Sequence, residues 1–190
     1  QEVEELVGSA PSTLRLILPE SCLDGPNVDT DIVEVNNTMT RYLRENQFVE
    51  YPHSMIYVER AMTSGRIRRG LVGMVDLEQY DYEPGSGAMV RATEGTVLSR
   101  IPPRVAVRKN APIELPHIML LSDDPEKTVI EPLAGQTGGM ELLYDFELME
   151  GGGHIRGWKL TQEQLEQVEQ VERKPKKKSL FRRSMEKGTS

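Results

Sequence analysis

The chain has 190 residues, of which 37% are hydrophobic and 28% are charged, and its formal net charge is −7. This composition is typical of a soluble globular protein that is long enough to bury one core. Its apolar runs are only a handful of residues long, far short of the roughly 20 that span a membrane. The acidic start, Glu2-Val3-Glu4-Glu5, does not have the pattern of a signal peptide, and because no Met opens the chain we expect the N-terminus to lie upstream.

The charge is divided unevenly along the chain. Residues 173–190 hold eight basic residues against Glu186 alone, so the preceding 172 residues have a net charge of −14. An acidic body disfavours nucleic-acid binding by the folded part, because phosphate backbones need a basic face. Cys22 is the only cysteine, which excludes an intrachain disulfide and favours a cytoplasmic location.

The first half of the chain predicts two helices, one strand and a hairpin. Residues 1–8 form a helix end capped by Gly8, and residues 14–18 a strand stopped by Pro19. A helix over 31–46, N-capped by Asp29 or Thr30, has an apolar stripe at helical spacing that consists of Ile32, Val35, Met39, Tyr42 and Leu43. A hairpin is predicted from two strands, residues 55–61 and 66–77, joined by a turn at 63–65. Gly70 and Gly73 indicate a bulge or a close backbone approach in the second strand.

The second half predicts further strands and one amphipathic helix. Strands at 115–121 and 128–133 form a second hairpin around a turn at 123–127, residues 140–149 form a short helix or a strand, and 154–160 form the last strand. Thr161 and Gln164 form a capping box at the start of a helix that ends near Pro175. Together these elements predict an α+β fold with a mainly antiparallel sheet, a single domain over 1–172 and a disordered basic tail over 173–190.

The polar stretch from Arg91 to Arg108 is the candidate ligand site. Two threonine hydroxyls, a glycine that admits close backbone approach and several guanidinium groups fit a phosphate or carboxylate. Arg104 and Arg108 share one face of a helix that begins at Pro102-Pro103. The candidate binding residues are Arg91, Thr93, Gly95, Thr96, Arg100, Arg104, Arg108 and His117, with Glu94 as a general base or a salt-bridge partner.

Several of these residues also have a structural interpretation. Thr-x-x-Thr beside an arginine is ordinary helix capping, and His117 beside an apolar strand fits a core histidine. Asp123-Asp124 fits a divalent cation or, more simply, a turn, and His154 follows three glycines that could present it from a loop. Phosphate-loop motifs are absent and no metal-ligand spacing is present, so the sequence identifies neither a cofactor nor a metal.

Joined motifs along the chain resemble the bacterial domain of unknown function 1015 family. They are residues 91–96, 100–104 and 114–118, supported by 56–60, 70–72, 124–133 and 152–155, and the resemblance runs from about Gly8 to about Leu160. It implies a cytosolic protein longer than this chain, loosely linked to the ParB/sulfiredoxin-like group that includes nucleotide-using kinases of small molecules. The family's later Gly-Asp-Gly-Asn-His-Ser type motif is missing here, and the lysine-rich end does not resemble the family.

Two functions remain open. In the first, the central stretch binds a small anionic metabolite or nucleotide, with Glu94 as base or Mg²⁺ ligand in a phosphoryl transfer. In the second, the chain is a non-catalytic binding or scaffolding domain whose Arg and Thr residues form internal salt bridges and caps. The sequence leaves the oligomeric state open.

Overall fold

The structure is a computed structural model. It describes residues 2–19, 22–23, 25–83, 85–92, 95, 97–115 and 118–173. The helices are α1 (Glu2–Val7), α2 (Val28–Arg44), α3 (Ile101–Arg108), α4 (Glu131–Ala134) and α5 (Gln162–Arg173). The strands are β1 (Ile56–Ala61), β2 (Ile67–Val72), β3 (Tyr80–Asp81), β4 (Val90–Arg91), β5 (Glu141–Leu148) and β6 (Gly153–Lys159).

The predicted α+β class is confirmed. The main sheet has the order β2-β1-β6-β5, with every neighbouring pair antiparallel, and β3 and β4 form a short parallel pair. Contacts divide the chain into two compact units, Gln1–Glu50 with Asp76–Leu120, and Tyr51–Val75 with Leu121–Ser190. The single domain predicted over 1–172 stays a prediction. Of the tail predicted over 173–190, Arg173 is the last residue of α5, and residues 174–190 lie outside the described residues.

In the first unit, α2 provides most of the core. Ile32, Val35, Met39 and Tyr42 are buried along one helix face, as their spacing predicts, whereas Leu43 is more than a third exposed. Leu16 packs against this face, and the Tyr42 hydroxyl accepts a hydrogen bond from the Ser12 backbone N–H at 3.3 Å. The first unit is therefore organised around the apolar face of one helix.

In the second unit, one face of the sheet carries the core. Tyr57 and Trp158 face each other across β1 and β6 with ring centroids 5.8 Å apart. Leu133 of α4 and Val168 of α5 pack against them. The capping box that begins α5 is confirmed, because Thr161 and Gln164 exchange backbone-to-side-chain hydrogen bonds of 2.9 and 3.3 Å.

The hairpin formed by β1 and β2 is also confirmed, but its predicted bulge is wrong. The register runs unbroken from Ile56 opposite Val72 to Ala61 opposite Ile67. Gly73 follows β2, and a Cβ there would lie 3.2 Å from the Met55 side chain, so the close approach at Gly73 is to a side chain rather than to backbone. The irregularity in the sheet falls in β5, between Leu142 and Tyr144.

Neither strand of the predicted second hairpin is present in the described residues. Residues 118–121 form no strand and are at least half exposed, and α4 overlaps the end of the predicted strand 128–133. Pro132 explains α4, because proline lacks an N–H donor but fits the first turn of a helix. The second hairpin is instead made by β5 and β6, so residues 140–149 are largely strand.

Two N-terminal predictions are wrong for local reasons. Residues 13–16 form a 3₁₀ turn rather than a strand, because the Ser12 side chain accepts a hydrogen bond from the Leu14 N–H at 3.2 Å. Helix α2 begins at Val28, and its N-cap is Asn27 without a side-chain cap, so neither Asp29 nor Thr30 caps it.

Gly157 is required by a close approach within the sheet. A Cβ at this position of β6 would clash with the Tyr144 ring, which lies over it from β5. We expect Gly157→Ala to lower the free energy of unfolding by about 1–3 kcal/mol, the usual cost of overpacking. Gly70→Ala in β2 is the control, because nothing lies within 4 Å of a Cβ there. Urea unfolding measures both, and equal effects of the two substitutions would contradict this role of Gly157.

Candidate functional site

The predicted ligand stretch is only partly described. Thr93, Glu94, Thr96 and His117 lie outside the described residues. Arg91 ends β4 with an exposed side chain, and Gly95 is exposed with open space around it. The part of the site that would carry chemistry therefore stays a prediction.

The arginines of the predicted ligand stretch differ in exposure and in their partners. Helix α3 begins at Ile101, so Pro102 and Pro103 fall in its first turn as predicted. Arg104 is exposed, and Arg108 pairs with Glu114 at 3.1 Å between two half-exposed side chains. For Arg100 the structure describes only the backbone, at the end of a 3₁₀ turn. Arg108 thus has an internal partner, as its structural interpretation expects.

The loop that leads to β4 is held together by an aspartate. Asp81 accepts hydrogen bonds from the Glu83 N–H at 3.0 Å and from the Ser86 hydroxyl at 2.7 Å. These two bonds, the backbone bond first, lower the pKa of Asp81. Although Asp81 lies opposite Arg91 in the β3–β4 register, its carboxylate is bonded within its own loop.

A second group of arginines surrounds a cleft in the first unit. The cleft has a volume of about 470 Å³ and lies between the chain that follows α1 and the C-terminal end of α2. It is lined by Gly8, Ser9, Pro11, Arg15, Arg41, Tyr42 and Glu45. Gly8 has a φ of +56° and donates to the Glu4 carbonyl at 2.9 Å, so α1 ends there as predicted and the chain turns into the cleft wall.

Arg15 is fixed in place by backbone carbonyls. Its Nε–H donates to the Ala10 carbonyl at 3.3 Å, and its Nη2 group donates to the Gly8 carbonyl. Among the side chains that the structure describes, Arg15 has no carboxylate partner. A guanidinium group has five N–H donors, so those not bound to Gly8 and Ala10 remain for a ligand.

Arg41 brings a second guanidinium to the same cleft. It lies over the Tyr42 ring at 5.1 Å and approaches Glu45 at 3.8 Å, a long contact between half-exposed side chains. Its position in the last turn of α2 is favoured by the helix dipole. With two guanidinium groups and one carboxylate, the cleft has a net positive charge, whereas the chain as a whole is acidic.

Sequence reasoning missed this cleft. Arg15 was assigned to a strand, and Arg41 lies on the polar face of a helix 26 positions further on. The available signal was the turn from Gly8 to Pro11, which exposes carbonyl groups after a helix end. Only the fold shows that these carbonyls orient Arg15.

In the second unit, a buried carboxylate joins three strands. Glu59 of β1 accepts hydrogen bonds from Arg69 of β2 at 3.1 Å and from Arg156 of β6 at 3.2 Å. The Tyr57 hydroxyl donates to the same carboxylate at 2.8 Å. Burial first, and then the bond to Glu59, raise the pKa of Tyr57 far above its ordinary value. Tyr57 and Glu59 are buried and both arginines are paired to the carboxylate, which fits a structural role.

Asp124 and His154, whose roles the sequence leaves open, are both held by hydrogen bonds. Asp124 caps the following turn, accepting from the Thr128 and Val129 N–H groups at 2.7 and 2.9 Å. His154 lies on β6 rather than in a loop, and its ring bonds to Glu147 at 2.7 Å and to Asp145. Within the described ranges, no three His, Cys, Asp or Glu residues are grouped so as to hold a metal ion, and no helix is long and apolar enough to cross a membrane.

Comparison with known proteins identifies the family. The model of the family described as "Protein of unknown function (DUF1015)" matches residues 1–181, so the chain belongs to this family. The match is longer at both ends than the stretch over which the motifs show the resemblance. No curated protein and no solved structure matches the chain.

The pairing of His154 gives a pH-dependent prediction. A neutral imidazole has one N–H, so donation to both carboxylates requires the protonated ring. The bonds to Glu147 and then Asp145 raise the pKa of His154 above 6.5. A raised pKa means that this contribution to stability is fully present below pH 6.5 and is lost as the pH rises through the folded-state pKa.

Titration of the His154 ring by NMR checks this pairing. We expect a pKa above 6.5 that falls in Glu147→Gln and in Asp145→Asn. Glu141→Gln, on the same strand but outside the pair, should leave it unchanged. A His154 pKa at or below 6.5 in the unmodified chain would show that the pairing does not form.

Proposed function

We propose that this chain is a binding domain for a small anion that carries a phosphate or carboxylate group, and that the cleft lined by Arg15 and Arg41 is its site. The observation that carries the proposal is the state of Arg15. Its guanidinium is oriented by two backbone carbonyls and has no carboxylate partner among the described side chains. A cation fixed in this way binds an anion without losing further side-chain freedom.

The size and chemistry of the cleft support the same ligand class. Ligand pockets commonly have volumes of about 300–1,000 Å³, and 470 Å³ falls in that range. Arg15 and Arg41 supply charged donors that suit phosphate or carboxylate oxygens, and Ser9 adds a hydroxyl. Glu45 provides an acceptor for a hydroxyl or amino group elsewhere on the ligand. A small metabolite or nucleotide with one anionic group fits this set.

The sequence also supports a second location for the anion, the central stretch, with a phosphoryl-transfer reaction there. It assigns Arg91, Arg104 and Arg108 to the anion, Thr93 and Thr96 to hydrogen bonding, and Glu94 to the base or a Mg²⁺ ligand. The exposure of Arg91 and Arg104 supports a role in binding, since both guanidinium groups can reach a ligand. A cytoplasmic location remains part of the proposal.

The second candidate is a scaffolding domain whose arginines are structural. The Arg108–Glu114 pair favours it, because that pair uses one predicted ligand-binding residue internally. It also predicts that Arg91 and Arg104 are enclosed by partners, whereas both side chains are exposed. The balance of these observations favours ligand binding.

Calorimetric titration with inorganic phosphate tests the proposed site. We expect Arg15→Gln and Arg41→Gln each to weaken binding about tenfold or more, because a hydrogen bond to a charged group contributes about 1.5–3 kcal/mol. Arg44→Gln is the matched control, since it removes a cation from the same helix end without lining the cleft.

Arg104→Gln distinguishes the two locations. If the cleft is the site, Arg104→Gln binds phosphate like the unmodified chain. If Arg104→Gln alone weakens binding, the central stretch is the site and the cleft is not. Far-ultraviolet circular dichroism of each variant confirms that the fold is retained.

A further inference from the structure

Two arginines on the sheet of the second unit are opposed in the strand register, and neither has a carboxylate partner among the described side chains. Arg60 of β1 and Arg68 of β2 are directly opposed in the antiparallel register. Side chains alternate along a strand, so both lie on the face of the sheet opposite to Tyr57 and Glu59. Like charges that are directly opposed across two strands repel each other.

The arginines on the two faces of this sheet differ in whether a carboxylate pairs with them. On the face that carries Glu59, the protein places that carboxylate between Arg69 and Arg156. On the other face, neither Arg60 nor Arg68 forms an ion pair with any side chain that the structure describes. Glu150, in the turn that precedes β6, is exposed and pairs with neither. Within the part of the chain that the structure describes, no carboxylate neutralises this arginine pair.

Arg60 is also held in a fixed position. Its Nε–H donates to the Gly152 carbonyl at 2.8 Å, in the triple-glycine turn between β5 and β6. This turn tolerates only glycine at two positions: a Cβ on Gly152 would lie 2.8 Å from that of Leu148, and Gly153 has a φ of +89° and abuts the Ala61 carbonyl. Close packing against Leu148 and Ala61 thus fixes the conformation of the turn. The Gly152 carbonyl in this turn orients the Arg60 guanidinium.

We propose that Arg60 and Arg68 form a second anion site, for the phosphate group of a small phosphorylated molecule. A tetrahedral phosphate has several acceptor oxygens, so it can accept hydrogen bonds from two opposed guanidinium groups at once. This site lies in the second unit and does not depend on the cleft lined by Arg15 and Arg41. On this face of the sheet the bound phosphate neutralises two arginines, as Glu59 neutralises Arg69 and Arg156 on the other face.

The test uses the full chain with Arg15→Gln and Arg41→Gln already introduced, so that the proposed cleft cannot contribute. Inorganic phosphate is the probe, and sodium chloride at equal ionic strength corrects for screening. We expect phosphate to raise the melting temperature by about 2–4 °C and to shift the amide resonances of residues 60, 68 and 151–153. Arg68→Gln should abolish both responses.

Arg68→Glu provides an independent readout. It places a carboxylate opposite Arg60, so we expect a higher melting temperature without phosphate and no response to phosphate. Arg66→Glu is the matched control, because it makes the same change in charge outside the register of Arg60. A phosphate response that survives in both Arg68 variants would overturn the proposal. So would a chain that shows no response to phosphate before position 68 is changed.

Discussion

The main sheet depends on the hydrogen bonds and ion pairs that the carboxylate of Glu59 forms with the neighbouring strands. Glu59 lies on the second strand from one edge, is 9% exposed, and accepts bonds from the strands on both sides. A buried charge is tolerated only when it is paired and hydrogen-bonded, and here two guanidinium groups and the Tyr57 hydroxyl satisfy it. Because these bonds fix β1 between β2 and β6, the Tyr57 and Trp158 rings meet in register and offer one apolar face to α4 and α5.

The same rule of charge pairing separates the described arginines that have an internal carboxylate partner from those proposed to bind an anion. Arg69, Arg156 and Arg108 each have a carboxylate within 3.2 Å, which accounts for their positions without a ligand. Arg15 and Arg60 instead bond to backbone carbonyls, which orient a guanidinium group but leave its charge uncompensated. A cation that is oriented but not neutralised is what an anion-binding site requires. The two proposed anion sites therefore lie where described arginines have no carboxylate partner.

The parts of the fold that were predicted are those that depend on local pattern. The stripe on α2, the hairpin of β1 and β2 and the capping box at Thr161 are encoded by neighbouring residues, and all three are confirmed. The strands predicted at 14–18 and 128–133 are wrong because short apolar runs do not distinguish a strand from a helical turn. The Ser12 side chain favours the 3₁₀ turn, and Pro132 favours the first turn of α4. The cleft could not be predicted, because Arg41 is 26 residues from Arg15 and only the fold brings both guanidinium groups to one cleft.

The binding of a phosphate-bearing anion between Arg15 and Arg41 is tested most directly by NMR on arginine side chains. Titration of the chain with inorganic phosphate should shift the Nε–H resonances of Arg15 and Arg41 together with the Ser9 amide, all with one dissociation constant. Arg108, which is neutralised by Glu114, should remain unchanged. Unshifted Arg15 and Arg41 resonances, or shifts confined to Arg91 and Arg104, would contradict binding in the cleft.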